Sequence, residues 1–355
     1  MNTLTFFIGS YTEEIVPGFG GIGRGIYTVE LNTKTGELKV LHTEMIRNPS
    51  YLVLSDDTKF LYAHTELDET KTPQVKSYKI KADFSLEFCN QQGIPGGLPC
   101  HINSYKNSVL VACYGSGNVI QYPVNSDGNL TAAFKNYQHT GTSINAERQE
   151  GPHAHQIVIH PNQKDIYVCD LGIDMIKAYQ FKNGELTPNQ IKDIKVTKGG
   201  GPRHLVFNVE GYVGYVLNEL SGNISILKKE DTVFKELQTI ASLPQDYKGI
   251  PSASAIRIHP NGQFLYAAHR GADLISIFKI DGDGLELITY EYTKGKEIRE
   301  FNISPDGEWL IACHQNSHDI VVYTIREDGT LEEQYRTKEI LSPVCVSFLN
   351  YTQTS

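Results

Sequence analysis

Hydrophobic residues along the chain occur mostly in runs of four to six, bounded by Gly, Asn, Asp and Pro. Runs of this length with such boundaries are typical of short buried β-strands, and patterns with a helical period are few. Segments such as IVIHPNQKDIYVCD (157–170) and IRIHPNGQFLYAAH (256–269) fit two strands joined by a tight polar turn. The pattern therefore predicts an all-β fold.

The two-strand unit recurs along the chain with a nearly constant period. Its clearest copies begin at residues 151, 201, 250 and 296, and weaker copies begin at 48 and 98. Anchor residues spaced by 50, 53, 50, 49, 45 and 47 positions are Pro49, Pro99, Pro152, Pro202, Pro251, Lys296 and Pro343. This period suits one four-stranded blade of a propeller. We predict a seven-bladed β-propeller with four-stranded antiparallel blades, forming a single domain over residues 1–355.

The seventh repeat is incomplete, because SPVCVSFLN (342–350) supplies only a first strand. The missing strands are present at the other end of the chain, in LTFFIGSY (4–11), RGIYTVEL (24–31) and GELKVLHTE (36–44). We predict that these N-terminal strands close the last blade together with the C-terminal strand, which removes exposed sheet edges. A pair of β-sandwiches would require neither this period nor a split repeat.

Composition excludes several classes of partner. The net charge is −9 and no long Lys/Arg run is present, so nucleic acid is not an expected partner. No run of eighteen apolar residues occurs and the N-terminus has no secretory pattern, so we expect a soluble, unexported protein without a membrane partner. The six cysteines are scattered and include no CxxC pair, which indicates reduced, buried thiols in a cytoplasmic protein. The sequence does not indicate an oligomeric state.

Three histidines within GPHAHQIVIHPN (151–162) resemble a metal motif at first sight. The repeat separates them. His160 aligns with His259 and with Ser304, always at the turn between the first and second strands of a blade. We predict that His160 and His259 are structural turn residues, whereas His153 and His155 belong to the start of a first strand.

First strands line the channel of a propeller, and their starts lie at the same end as the ends of the second strands. This end, the mouth of the channel, is predicted to gather two sets of side chains. The strand-start set is Ser50, Cys100, His153, Arg203, Ser252 and Glu297, with His155 and Arg299 two residues further on. The strand-end set is Ser10/Tyr11, Thr65/Glu66, Tyr114/Gly115, Asp170/Leu171, Asn218/Glu219, His269/Arg270 and His314/Gln315.

Three interpretations of this polar cluster remain open. A zinc or iron site would use the His153/His155 pair with Glu219, His269 or His314. A structural role would have these groups bind loops and channel water. An anion-binding catalytic site would use Arg203 and Arg270 for a carboxylate or phosphate and a His/Glu pair for proton transfer. We favour the last and predict no metal, because neighbouring arginines would repel a dication.

The motifs FFIGSYT, GPHAHQ, GPRHL, YVLNEL, HPNG and SPDG together resemble the seven-bladed propeller lactonase family, which includes propeller-type 6-phosphogluconolactonases and carboxy-muconate cycloisomerases. The resemblance covers essentially the whole chain. It implies a cytoplasmic enzyme that acts on a lactone in sugar metabolism without a cofactor. The His, Arg, Glu and Arg that line the cleft of the cycloisomerase branch correspond to His155, Arg203, Glu219 and Arg270.

This resemblance predicts hydrolysis of 6-phosphogluconolactone, a phosphorylated sugar lactone of the pentose phosphate pathway. His155 or Glu219 would be the general base, and Arg203 would stabilise the oxyanion. Substrate-binding residues would be Arg270, His153, Arg299, His269, His314 and Gln315. Two alternatives stay open: a cycloisomerase or lactonase acting on another carboxylate lactone, and a non-catalytic propeller that binds a protein through its mouth.

Overall fold

The computed structural model describes residues 3–133 and 135–349, and its regular structure is almost entirely β-strand. Its first five strands are β1 (Thr3–Ser10), β2 (Glu14–Val16), β3 (Phe19–Gly20), β4 (Gly25–Asn32) and β5 (Leu38–Met45). Strands β2 and β3 form a small hairpin of their own.

The remaining strands follow in six successive groups. Blade 1 contains β6 (Leu52–Leu54), β7 (Phe60–His64), β8 (Gln74–Ile80) and β9 (Leu86–Gly93). Blade 2 contains β10 (Pro99–Tyr105), β11 (Ser108–Cys113), β12 (Asn118–Pro123) and β13 (Lys135–Gln138). Blade 3 contains β14 (Ala154–Ile159), β15 (Asp165–Asp170), β16 (Met175–Lys182), β17 (Glu185–Pro188) and the short β18 (Ile194–Lys195).

Blade 4 contains β19 (Pro202–Phe207), β20 (Val213–Asn218), β21 (Asn223–Glu230) and β22 (Val233–Ala241). Blade 5 contains β23 (Ala253–Ile258), β24 (Phe264–His269), β25 (Leu274–Asp281) and β26 (Gly284–Tyr292). Blade 6 contains β27 (Ile298–Ile303), β28 (Trp309–His314), β29 (Asp319–Ile325) and β30 (Leu331–Thr337), and β31 (Pro343–Phe348) is the last strand.

The seventh blade joins the two ends of the chain. Its strand order is β31, β1, β4 and β5, with antiparallel pairing throughout. Each first strand contacts the first strands of both neighbouring blades, including β31 with β6, so the ring is continuous. The predicted seven-bladed architecture and its closure by N-terminal strands are confirmed. The predicted domain boundaries of 1 and 355 lie outside the described residues.

The hydrophobic core is distributed between adjacent blades. Tyr215, Leu217 and Ile226 of blade 4, for example, pack in one cluster with Ile256 and Leu265 of blade 5. Second strands are buried on both faces, which explains their nearly continuous apolar sequences, whereas outer strands such as β26 are partly exposed. Burying each large aliphatic side chain contributes about 1.5–3 kcal/mol, so the blade interfaces supply much of the stability.

Helical structure is minor in the described part of the chain. Three short 3-10 helices are present there, at Glu69–Lys71, Leu171–Ile173 and Gln190–Lys192. No described helix has the length and apolar character needed to cross a membrane. All six cysteines are unpaired, and five of them are buried.

The turn histidines connect neighbouring blades. His160 Nε2 donates to the carbonyl oxygen of Gly211 at 3.0 Å, and its Nδ1 accepts from the backbone N–H of Asn162 at 3.1 Å. His259 makes the equivalent bond to Gly307 at 2.8 Å. The predicted structural role of these two histidines is confirmed, and each fixes one blade to the turn of the next.

Two turn glycines allow a matched test of this contact. Gly211 and Gly262 have similar φ values of +70° and +74°. A Cβ on Gly211 would lie 2.7 Å from His160 Cε1, whereas a Cβ on Gly262 would meet nothing within 4 Å. Gly262→Ala should lower the free energy of unfolding by about 1 kcal/mol through backbone strain alone. Gly211→Ala should cost about 1–3 kcal/mol more, because the new methyl group overlaps the imidazole. Thermal unfolding midpoints should therefore fall in the order wild type, Gly262→Ala, Gly211→Ala; equal midpoints for the two variants would contradict the assignment.

Candidate active site at the mouth of the channel

First strands enter the ring through an irregular register. In six blades the register between the first and second strands shifts within the first few residues of the first strand. These first strands are β10, β14, β19, β23, β27 and β31. Such bulges turn a side chain out of the regular alternation. The residues at this level, called here the first-strand ring, are Ser50, Cys100, His155, Arg203, Ser254, Arg299 and Val344.

A second ring comes from residues that follow the ends of the second strands. In every blade the backbone N–H of this residue donates to a backbone carbonyl at the start of the first strand. The acceptor residue directly precedes a proline or aliphatic residue. Examples are Glu219 to Gly201 at 2.7 Å and Arg270 to Ser252 at 2.8 Å. The seven donors, called here the second-strand ring, are Tyr11, Glu66, Tyr114, Leu171, Glu219, Arg270 and Gln315. This repeated bond places both rings at the same end of the channel.

Strand pairing corrects one detail of the sequence alignment. Ala154 pairs with Asp170 as Pro202 pairs with Asn218, so His155, not His153, is the structural equivalent of Arg203. The predicted equivalence of His153 and Arg203 is therefore wrong, because the prolines used as anchors do not stand at the same distance from the strand in every blade. His153 instead stacks on Tyr114 with ring centroids 4.4 Å apart and donates from Nδ1 to the Tyr114 carbonyl at 2.8 Å.

The dominant charged group of the mouth is the buried carboxylate of Glu219. Its Oε2 lies 2.8 Å from Arg270 and 3.1 Å from Arg203 Nε, and its Oε1 accepts from Arg148 at 2.7 Å. The Arg203 contact is an ion pair without hydrogen-bond alignment, since Arg203 Nε has no hydrogen-bond partner. Burial by itself would raise the pKa of Glu219, but Arg270, Arg203 and Arg148 outweigh it and lower the pKa to about 2.

His155 lies beside this ion cluster in the neutral state. Burial and the adjacent Arg203 lower the pKa of His155 well below its ordinary value of 6.5, with further contributions from His101, Arg299 and Arg270. Its ring centroid is 5.4 Å from that of His204, and its Nδ1 has no hydrogen-bond partner among the described residues. One buried imidazole nitrogen of His155 is therefore without a protein partner in the described structure.

Arg203 is held at the centre of the mouth by several groups. It donates from NH1 to the Ser254 carbonyl and lies 3.2 Å from His204 Nε2. Burial and the like charge of Arg270 lower the pKa of Arg203 to about 10, so the guanidinium remains charged at neutral pH. A fixed, buried cation of this kind can stabilise a developing negative charge.

Arg299 is held by aromatic rings and not by a carboxylate. Its guanidinium lies 5.1 Å from the ring centroid of Tyr11 and 4.9 Å from that of Phe19, within the range of cation–π interactions. Its NH1 is buried and has no hydrogen-bond partner in the described structure. A bound anion or polar ligand would satisfy this donor.

A cavity that opens to solvent lies between these side chains. It is lined by Ser50, Tyr51, Glu66, Cys100, His155, Arg203, His204, Arg299, Glu300 and Val344. Six of the seven residues of the first-strand ring, all except Ser254, thus line one cavity, which is the candidate site for a small molecule.

Two of the predicted substrate-binding histidines lie elsewhere. His269 Nε2 is 2.9 Å from Ser242 Oγ and His314 Nε2 is 2.7 Å from Thr293 Oγ1, so both contact the loop that precedes their blade. Each is the last residue of its second strand, and side chains alternate along a strand. Only the following residues, Arg270 and Gln315, belong to the second-strand ring. The expectation that His269 and His314 face the mouth is corrected accordingly.

Gln315 also has a protein partner. Its side-chain amide donates to the carbonyl of Gly20 at 2.9 Å and so fixes the β2–β3 hairpin over the mouth. Phe19 of that hairpin stacks on Arg299, as described above. The hairpin therefore covers one side of the cavity. In the described residues, no group of three or more His, Cys, Asp or Glu is arranged to hold a metal ion.

Comparison with known proteins identifies the family of this chain. Residues 5–348 match the family described as lactonase, 7-bladed beta-propeller. The chain belongs to the seven-bladed β-propeller lactonase family. A 6-phosphogluconolactonase of Bacillus subtilis (strain 168) is 32% identical over 353 residues, which cover 97% of this chain and 98% of that protein.

Two solved structures resemble this lactonase closely. A putative 6-phosphogluconolactonase from Bacteroides fragilis NCTC 9343 superposes with a TM-score of 0.90 at 31% identity, over 98% of each chain. A periplasmic gluconolactonase from Pseudomonas aeruginosa also gives a TM-score of 0.90, at 25% identity, over 98% of this chain and 99% of that one. These likenesses support lactone hydrolysis as the activity of this chain.

Arg148 could not be predicted as a site residue from the sequence of this lactonase. This residue lies in the loop 139–153 between blades 2 and 3, outside the repeated unit, and it links Glu219 to the Tyr114 hydroxyl, which accepts from Arg148 at 3.0 Å. The unusual length of that loop was the one available signal, because long loops in compact folds are often functional. Nothing in the local sequence indicated which of its side chains would reach the mouth.

Proposed function

We propose that this lactonase hydrolyses 6-phosphogluconolactone to 6-phosphogluconate. The observation that carries the proposal is a neutral, buried His155 with an unpartnered Nδ1, in the same cavity as the charged guanidinium of Arg203. A base and an oxyanion-stabilising cation side by side are what ester hydrolysis requires. The relatives named as phosphogluconolactonases support the choice of substrate.

The proposed reaction begins with water placed between His155 and the lactone carbonyl. His155 takes one proton as the water oxygen bonds to the carbonyl carbon, and Arg203 stabilises the resulting oxyanion. When the tetrahedral intermediate collapses, the bond to the ring oxygen breaks, and the proton held by His155 goes to that oxygen. The product is the open-chain hydroxy acid, and His155 returns to its neutral state.

We assign the base to His155 and a positioning role to Glu219. A carboxylate with a pKa of about 2 is a very weak proton acceptor at neutral pH. Its contacts with Arg203 and Arg270 instead hold both guanidinium groups in place. The proposal thus chooses His155 as the general base, where the sequence leaves His155 and Glu219 as alternatives.

Arg270 is the proposed phosphate-binding group, and Arg299 is proposed to bind another part of the substrate. Each has a buried guanidinium nitrogen without a hydrogen-bond partner in the described structure, Nε in Arg270 and NH1 in Arg299. Arginine suits a phosphate group because its planar set of donors can bind two oxygens at once. We further propose a cytoplasmic role in the pentose phosphate pathway, since five buried free thiols suit a reducing compartment.

The proposed base can be tested by substitution. His155→Gln should lower kcat/KM for freshly generated 6-phosphogluconolactone by about 10²–10⁴-fold, because the amide cannot accept the proton of water. Initial rates, corrected for spontaneous hydrolysis, give the measurement, and circular dichroism checks the fold. His42→Gln, on outer strand β5, serves as the matched control and should retain wild-type rates. Wild-type activity in His155→Gln would refute the assignment.

The oxyanion role of Arg203 predicts a specific kinetic change. Arg203→Lys keeps the positive charge but loses the planar donor geometry, so kcat should fall by about 10²–10³-fold. Arg326→Lys, at an exposed ion pair with Glu332, is the control and should leave kcat unchanged. A loss confined to KM in Arg203→Lys would instead assign this residue to ground-state substrate binding.

The low pKa of His155 predicts the pH dependence. Because protonation inactivates the base and its pKa lies below 6.5, kcat/KM should stay constant from pH 8 down to pH 6.5 and fall only at lower pH. Glucono-δ-lactone is the suitable substrate for this profile, because it carries no titrating phosphate. An acid limb centred above pH 6.5 would contradict the neutral, desolvated state of His155.

A further inference from the structure

The mouth contains a second buried carboxylate, Glu66, that the proposed mechanism does not use. Glu66 and Glu219 hold equivalent positions in the second-strand ring, in blades 1 and 4, so they lie on opposite sides of the channel. Glu219 is surrounded by arginines, whereas the Glu66 carboxylate has one hydrogen-bond donor in the described structure, the Tyr11 hydroxyl, 2.9 Å from Oε2. The two carboxylates therefore serve different purposes.

Glu66 lines the same cavity as His155 and Arg203. Its Oε1 accepts no hydrogen bond from any side chain or backbone group in residues 3–133 or 135–349. Burial raises the pKa of Tyr11 well above 10, so the Tyr11 hydroxyl remains protonated and keeps donating to Oε2. One carboxylate oxygen is thus anchored and the other is available as an acceptor.

Two other polar atoms around Glu66 lack partners in the described structure. Ser50 Oγ and Arg299 NH1 are buried, and both residues line the cavity. Ser50 is 4% exposed and Arg299 is 8% exposed, so water does not readily satisfy either side chain. Leaving such atoms unpaired is destabilising, which indicates a ligand that supplies the missing bonds.

The chemistry of these three groups specifies the ligand. Glu66 Oε1 only accepts, Arg299 NH1 only donates, and Ser50 Oγ does both. Hydroxyl groups both donate and accept, so vicinal hydroxyls of a sugar can satisfy all three at once. A metal cation does not suit the position, because the Arg299 guanidinium faces the same space.

We propose that Glu66, with Ser50 and Arg299, forms a subsite that binds the hydroxyl groups of a polyhydroxylated lactone, and that Tyr11 positions the Glu66 carboxylate. This inference rests on the proposed lactonase function and adds the residues that select sugar lactones over lactones without hydroxyls. The reacting carbonyl then lies toward His155 and Arg203, and the hydroxyl-bearing carbons lie toward blade 1. Glu66 is in this sense a specificity-determining residue.

The test compares two substrates that differ in hydroxyl groups. Glucono-δ-lactone carries them, and δ-valerolactone has the same ring without them. Glu66→Gln should lower kcat/KM for glucono-δ-lactone at least tenfold, mainly through KM, because a charged acceptor is replaced by an amide. The rate with δ-valerolactone should change less than twofold. Glu87→Gln, on outer strand β9, is the matched control and should behave as wild type with both substrates.

Tyr11→Phe provides a second variant that keeps the ring over Arg299 and removes only the hydroxyl. It should raise KM for glucono-δ-lactone by a smaller factor than Glu66→Gln and leave δ-valerolactone turnover unchanged. Equal losses with both lactones would overturn the proposal, because they would mean a structural or general electrostatic role. Unchanged kinetics with both lactones in Glu66→Gln would overturn it as well.

Binding of gluconate separates this proposal from the proposed function. If the wild-type protein does not hydrolyse 6-phosphogluconolactone, the proposed function fails, and calorimetry with gluconate then tests the subsite alone. Weaker binding of gluconate to Glu66→Gln than to wild type supports the subsite. Equal binding, or no binding to wild type, overturns it.

Discussion

The mouth of this propeller depends on the ion cluster around Glu219. Arg203 and Arg270 are both buried, and a buried guanidinium without a counter-charge would be strongly destabilising. Glu219 compensates both of them with one carboxylate oxygen and reaches Arg148 with the other. Burial, together with the charges of Arg203 and Arg270, keeps His155 neutral. The cluster therefore contributes to both the geometry and the electrostatics of the site.

The fold makes this cluster through a repeated backbone device. A backbone hydrogen bond from the end of each second strand to the residue before the first strand fixes the position of both rings along the channel. The bulges then turn first-strand side chains into the cavity. Several residues that supply the carbonyl have positive φ, including Leu98 at 49° and Glu297 at 62°. Backbone strain of this kind is tolerated where the surrounding structure holds it, commonly at functional sites. All seven blades share this hydrogen bond, and the differences between their side chains determine the chemistry of the site.

The propeller architecture could be predicted from the sequence because the strand and turn pattern is repeated seven times. Hydrophobic runs and turn residues predicted the blades, their closure and the roles of His160 and His259. The surroundings of single residues were harder to predict. A bulge changes which residue faces the channel, which displaced His153 relative to His155 in the alignment. Strand alternation separated His269 from Arg270, and Arg148 lies in a loop without a repeat equivalent. These features depend on local backbone geometry and three-dimensional proximity, which the periodic pattern does not contain.

Charge balance at the mouth favours an anionic substrate. Four arginines, Arg148, Arg203, Arg270 and Arg299, outnumber the three carboxylates of Glu66, Glu219 and Glu297, and Glu300, which also lines the cavity, is paired with Arg257. Burial first, and then this excess of positive charge, lowers the pKa of His155 in the free protein and so weakens it as a base. A phosphate dianion bound by Arg270 would offset that excess, and the proton affinity of His155 would then rise. The base would become strongest when the phosphorylated substrate is bound, which couples recognition of the phosphate group to the proton transfer at the carbonyl.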